Sequence, residues 1–179
     1  GMEVLSSLPR GPGAMGFYDK PERYIPITQA RMLADIPAAE QPACAVALGA
    51  QLELTSVRGT RTVAADEFYL GPYMTTIEPD ELLTGIVFPD WPKDHTTLFR
   101  EVTQRPGDFA LVGMVGSLTL AGGSISRAGI AWFGMGPTPI KARQAEAALM
   151  GQSLDNLDAN HIAELAIADT APFTDHHAS

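Results

Sequence analysis

The stretch "LVGMVGSLTLAGGSISRAGIAWFG", residues 111–134, consists of two strand-like runs flanking the only adjacent glycine pair in the chain, Gly122-Gly123. In the first run Leu118 and Leu120 share one face and Ser117 and Thr119 the other, the period-two signature of a strand with one side toward a core. A Gly-Gly pair between two such runs reads as a tight hairpin turn in preference to a phosphate cradle. An antiparallel sheet is therefore the organising element.

Working toward the N-terminus, "QLELTSV" (51–57) alternates in the same way, "VRGT" supplies a turn, and "RTVAADEF" (61–68) reads as the returning strand. "GIVFP" (85–89) is a further short strand stopped by Pro89, and Tyr24–Ile27 is the one strand expected in a Pro- and Gly-rich N-terminal arm. Toward the C-terminus the period becomes helical. "GPTPIKARQAEAALMG" (136–151) offers Thr138 as N-cap, Pro139 at the first helical position and Gly151 as the stop. "LDANHIAELAIAD" (157–169) offers a second helix capped by Asp158, with Ile162, Leu165 and Ala166 on one face, and "APFTDHHAS" follows with no third helix. Strands followed by helices give an α+β fold, an antiparallel sheet packed with helices.

Composition narrows the function. Twelve basic against 21 acidic residues in 179 leave a net charge of −9, and no segment concentrates the basic ones. That excludes the basic footprint used for nucleic acid or an anionic membrane. Without a membrane-length apolar run or a signal-like N-terminus, a cytoplasmic protein is expected. The single cysteine, Cys44, sits among small apolar residues and reads as a buried hydrophobe. Asp175-His176-His177 lie at a terminus without the fixed geometry a metal needs, so no metal site is expected. Asp66-Glu67 and Asp80-Glu81 read as solvated surface carboxylates. Nothing forms a nucleophile–base–orienter set, so no catalytic residue is assigned.

Three segments carry a family resemblance: "PAAEQPACAVALGAQLELTSVRGTRTVAADEFYLGPYMTTIEPDELLTGIVFP" (37–89), "FREVTQRPGDFALVG" (99–113) and "ISRAGIAWFGMGPTPIKARQAEAALMGQ" (125–152). In this order and spacing the chain resembles the flavin-binding medium subunit of molybdenum hydroxylases, the carbon monoxide and xanthine dehydrogenase type. The resemblance implies FAD as cofactor, iron–sulfur and molybdenum subunits as partners, and an oxidoreductase complex as the setting. It divides the chain into an atypical arm (1–37), a remnant of the FAD-binding subdomain with its sheet (38–96) and a flavoprotein C-terminal-like domain (97–179).

By position, the resemblance places Glu40, Leu83 and Arg100 at the cofactor, and Arg105 and Asp108 near its edge. Each of the first three also has a structural alternative: a helix-start carboxylate, a core leucine, and an outward arginine on an edge strand. The family's two glycine-rich loops should precede "PAAEQPA", where this sequence has Arg31, Met32 and Leu33. A truncated medium subunit that does not hold FAD alone is the resulting expectation. A non-catalytic subunit-docking or structural module is the alternative. A homodimer is expected to bury apolar surface around "ACAVALGAQLEL" (43–54), Leu82-Leu83 and the Ile162/Leu165 face.

Overall fold

The computed structural model describes residues 40–105 and 109–172. The arm with Tyr24–Ile27, the residues Arg31–Leu33, Asp108 and the tail with Asp175-His176-His177 lie outside them. All described residues belong to one contact unit, Ala39–Ser179.

Helix α1 (Gln41–Leu48) opens the described chain, with Pro42 in its first turn, where a missing N–H costs nothing. Strands β1 (Gln51–Ser56) and β2 (Gly59–Ala64) form a hairpin with Ser56 opposite Gly59, and β5 (Leu82–Val87) pairs on the other side of β1. The expected strand over 61–68 ends at Ala64. Ala65–Phe68 is one helical turn, α2, that buries Ala65 and Phe68. A two-strand hairpin follows, β3 (Tyr69–Gly71) with β4 (Met74–Thr75).

The second sheet is the one anticipated around residues 111–134. Its order is β6-β7-β8-β9, formed by β6 (Thr96–Thr103), β7 (Ala110–Ala121), β8 (Ser124–Phe133) and β9 (Ile140–Lys141), antiparallel throughout. Gly122 and Gly123 join β7 to β8 with φ of 60° and 83°, the left-handed pair that a two-residue hairpin demands. Helix α3 spans Arg143–Leu149 and α4 spans Ala159–Ile167.

The first C-terminal helix begins later than its sequence suggests. Thr138 and Pro139 do not cap it; Ile140 and Lys141 instead pair with Trp132 and Ala131 as β9, and α3 has Ala142 at its N-cap with no side-chain cap. A sheet edge with free hydrogen-bonding groups captured the residues that propensity would have given to the helix. The second helix is as read: Asp158 Oδ1 accepts from the Asn160 and His161 backbone N–H groups, both at 3.1 Å, and Ala166 is buried.

Helices cover both faces of the four-stranded sheet. On one side α1 comes so close that a Cβ on Gly129 would collide with the Ala47 carbonyl. Small residues face it in consequence, and Ser117 and Thr119 are buried while Leu120 is exposed. The alternation along β7 is as expected, but its polar face points inward, because leucines would not fit beneath a helix at that distance. On the other side Ile130 and Trp132 pack against Ala142, Ala145, Ile162, Leu165 and Ala166. Trp132 Nε1 donates to the Ala166 carbonyl at 2.7 Å. The β6–β7 end of this face carries exposed Leu98, Val102 and Leu120.

Polar ties fix the layers. Lys141 Nζ donates to the Val46 carbonyl at 3.2 Å and lies 3.5 Å from Glu146 Oε1, which also accepts the Ile130 N–H at 2.7 Å. Burial raises the Glu146 pKa. Trp91 Nε1 donates to the Leu48 carbonyl at 3.2 Å, and the Arg127 guanidinium lies 3.9 Å over the Trp91 ring. Glu81 is no solvated carboxylate. It is buried, accepts from Arg61 Nε at 2.7 Å and Nη2 at 2.8 Å, and accepts the Glu78 N–H at 2.9 Å. Asp66 likewise pairs with Arg143 at 2.7 Å.

The Arg61 hydrogen bonds hold the Glu81 pKa down to about 2. A depressed carboxyl stabilises the fold above its unfolded value, and that contribution is lost as pH falls through the folded value. Thermal melts from pH 7 to pH 2 should therefore show Glu81→Gln melting below the parent chain at neutral pH, with the gap closing as pH falls toward 2. A gap that stays constant with pH would show that the ion pair adds nothing through its charge.

Candidate functional site

The residues placed at the cofactor by resemblance occupy three separate elements. Glu40 precedes α1 and is 1% exposed. Its Oε2 has no hydrogen-bond partner, and its side chain does not cap the helix. Burial, reinforced by the charge of Glu101, raises its pKa. Leu83 lies on β5 opposite Leu54 and is partly exposed. Arg100 lies on edge strand β6 opposite Met114, on the sheet face away from α1, and its Nη1 reaches only the Phe99 carbonyl at 3.4 Å. No hydrogen bond or ion pair joins any two of the three among the described residues. Arg105 is exposed, two residues after β6.

What the fold does bring together is a cleft of about 470 Å³, within the usual range for small-molecule sites. One wall is the β3–β4 hairpin with Tyr69, Gly71, Pro72 and Tyr73. The opposite wall is the β8–β9 connection with Phe133, Gly134, Gly136 and Pro137–Pro139, and Pro42 at the start of α1 closes one end. Phe133 is fixed beneath the cleft by stacking on Phe99 at 5.8 Å between ring centroids and by lying over Gly113, where any Cβ would meet its ring. Tyr69 stands edge-on to Phe68 at 5.1 Å, and burial raises its pKa.

These walls suit one kind of ligand surface. Among the described residues, aromatic rings and prolines line the cleft, with Thr138 the only non-aromatic polar side chain and no charged one. Four of its residues are prolines, which have no N–H to donate. A flat, uncharged heteroaromatic ring fits that lining, whereas a diphosphate, which needs convergent donors, does not. The second groove, near β2, is lined by Arg58 and Arg61, but both already bind carboxylates. It offers no free cation to an anion. No group of three or more potential metal ligands occurs among the described residues.

Sequence reasoning missed Tyr69, Tyr73 and the 133–139 connection. The signal available was the aromatic and proline enrichment of "YLGPY" and "GMGPTP", two loops that become neighbours only through the tertiary fold.

The cleft joins two stretches with known relatives. Residues 31–91 match the FAD binding domain in molybdopterin dehydrogenase, and residues 97–179 match the CO dehydrogenase flavoprotein C-terminal domain. The carbon monoxide dehydrogenase medium chain of Afipia carboxidovorans is 38% identical over 139 residues, 78% of this chain and 48% of that one. The glyceraldehyde dehydrogenase medium chain of Sulfolobus acidocaldarius is 31% identical over 143 residues, covering 80% and 50%. A solved structure of the Cu,Mo-CO dehydrogenase superposes with a TM-score of 0.72 at 37% identity, over 78% of this chain and 49% of that one. The fold and the matches define an α+β flavoprotein-type chain, and the protein belongs to the FAD-binding medium-subunit family of the molybdenum hydroxylases. The chain spans about half the length of the curated relatives it matches.

Glu40 offers a direct test of the site's electrostatics. A carboxyl whose folded pKa is raised favours the fold below its unfolded value, and this is lost as pH rises through the folded value. Glu40→Gln should thus melt a few degrees above the parent at pH 8, and the difference should shrink toward pH 4. An unchanged or lower melting temperature at pH 8 would mean that the carboxylate is satisfied as an anion.

Proposed function

We propose that this chain supplies the ring-binding side of an FAD site in a molybdenum hydroxylase, through which electrons pass in a complex with iron–sulfur and molybdenum subunits. The observation that carries this reading is the cleft itself. Its walls come half from the segment matching the FAD-binding family and half from the segment matching the flavoprotein C-terminal family, and its lining is apolar, aromatic and uncharged. Ligand sites form preferentially at such junctions. Glu40, with an unpartnered buried oxygen one residue before α1, and Leu83, part-exposed on β5, remain contacts assigned by resemblance. Arg100 is better suited to a subunit contact, since it projects from an exposed edge strand.

FAD also carries a diphosphate. No basic side chain lines the cleft among the described residues, and the sequence before Ala38 has Arg31-Met32-Leu33 where the resemblance expects glycines. The 179-residue chain therefore binds the ring without holding the whole dinucleotide through purification. Heat release and absorbance of the purified protein should show well under one flavin per chain. Stoichiometric flavin would overturn this reading.

A second reading, a docking module that self-associates, is favoured by the exposed Leu98, Val102 and Leu120 on the uncovered end of the four-stranded sheet. The expected patch at 43–54 is not its basis, because Ala43–Ala47, Leu52 and Leu54 are buried within the fold. The Ile162/Leu165 face is likewise packed against Trp132 and Ala142. A homodimer through the β6–β7 face should give a dimer mass by light scattering at micromolar concentration, and Leu98→Glu combined with Val102→Glu should return it to monomer. A parent chain that stays monomeric as concentration rises excludes the dimer.

A further inference from the structure

Glu40 is buried at the start of α1 without capping it, and its Oε2 meets no partner. A carboxylate removed from water is costly unless hydrogen bonds or an opposite charge replace the solvent. The fold brings it a like charge instead. The register of β6 on β7 is unbroken from Thr96 to Val102, so side chains along it alternate between the two faces. Phe99 stacks on Phe133, on the face that α1 covers. Glu101 shares that face, opposite Gly113, over which the Phe133 ring lies. Phe133 and Pro42 line the same cleft, so β6 delivers Glu101 toward the start of α1, and its charge acts on Glu40 there.

Neither carboxyl forms an ion pair among the described residues. The next ionisable group on α1 is Cys44, a buried thiol pushed up to about 11. On this side β7 and β8 present Gly113, Val115 and Phe133, none of which titrates. Lys141 reaches α1 only at Val46, in its last turn, and Arg100 is on the other face of β6. Asp66 of α2 is paired with Arg143, Glu67 is exposed, and Tyr69 on β3 has a phenol whose pKa burial raises.

We propose that Glu101 is a specificity-determining residue of the cofactor site: it sets the charge carried by Glu40, and through Glu40 selects a ring edge that brings an N–H donor over one that is anionic. This rests on the start of α1 meeting the cofactor ring. An ionised Glu40 has an unmet acceptor, which the imide N–H of a flavin-type ring satisfies. A protonated Glu40 has lost it. Glu101 decides how readily that change occurs, because a second negative charge favours the neutral form of the first. It is exposed and needs no contact with the ligand to act in this way.

The glutamate carboxyls of the full chain are followed by NMR from pH 8 to pH 4, in parallel with riboflavin binding by flavin fluorescence. The Glu40 signal is the one absent from Glu40→Gln. In Glu101→Gln its titration should move to lower pH. Riboflavin affinity of the parent should fall on the order of tenfold on the acid side of that titration, the worth of a hydrogen bond to a charged acceptor. In Glu101→Gln the same loss should appear at correspondingly lower pH. N3-methylriboflavin, which lacks the imide N–H, should bind the parent weakly and without this dependence. A riboflavin profile that stays in place in Glu101→Gln overturns the role of Glu101, whether or not the Glu40 titration moves, and leaves the ring site standing. A parent that binds no riboflavin at any pH overturns both.

Discussion

The seating of α1 on the four-stranded sheet is the constraint from which the rest follows. The Ala47 carbonyl presses on Gly129 so closely that no side chain fits between them. Contact at that range removes the middle of the helix from water, and Ala43 through Ala47 are all buried. It also closes the end of the helix. The carbonyls of its last turn accept from Lys141 Nζ on β9 and from Trp91 Nε1 in the β5–β6 connection. Lys141 is partly buried, and its charge is matched by Glu146, itself held by the Ile130 N–H. A buried ion pair of this kind adds little net stability, but losing one partner is expensive, so the cluster enforces a single arrangement of α1, β8, β9 and α3.

With α1 fixed, its first turn is fixed too, and that places Pro42 at the end of the cleft and Glu40 in the protein. The charges of the first sheet are kept away from this region. Arg58 and Arg61 are engaged by Glu78, Asp80 and Glu81 around the groove beside β2, and among the described residues the cleft carries no formal charge.

The features legible in the sequence were those set by a few adjacent residues. Gly122-Gly123 specified its hairpin because only a left-handed pair closes so tight a turn, and Asp158 specified its cap because its oxygen is within reach of two free N–H groups. Features decided by distant partners were read wrongly or not at all. Thr138-Pro139 is a good helix start in isolation, but β8 offered a free edge to Ile140 and Lys141. Ser117 and Thr119 looked like a solvent face because nothing local announces a helix pressed against them. Glu81 looked solvated because Arg61 is twenty residues away on another strand. The cleft is the extreme case: its two aromatic- and proline-rich walls are more than fifty residues apart in sequence, and neither alone has the form of a motif.

Covering is uneven on the four-stranded sheet among the described residues, and the unevenness follows the strand order. Where β8 and β9 run, α1 lies on one side and α3 with α4 on the other, and Ile130, Ala131, Trp132 and Phe133 are held from both. Where β6 runs, one edge is unpaired, and Leu98 and Val102 on that strand, with Leu120 on β7, face solvent among the described residues. The covered end is where Phe133 must not move, since it forms the floor of the cleft through its contacts with Phe99 and Gly113. The apolar residues of the uncovered end lie on the sheet face away from α1, opposite to the one that carries Phe99 and Phe133. The packed end of the sheet therefore holds the floor of the cleft, while its apolar flank lies on the opposite face.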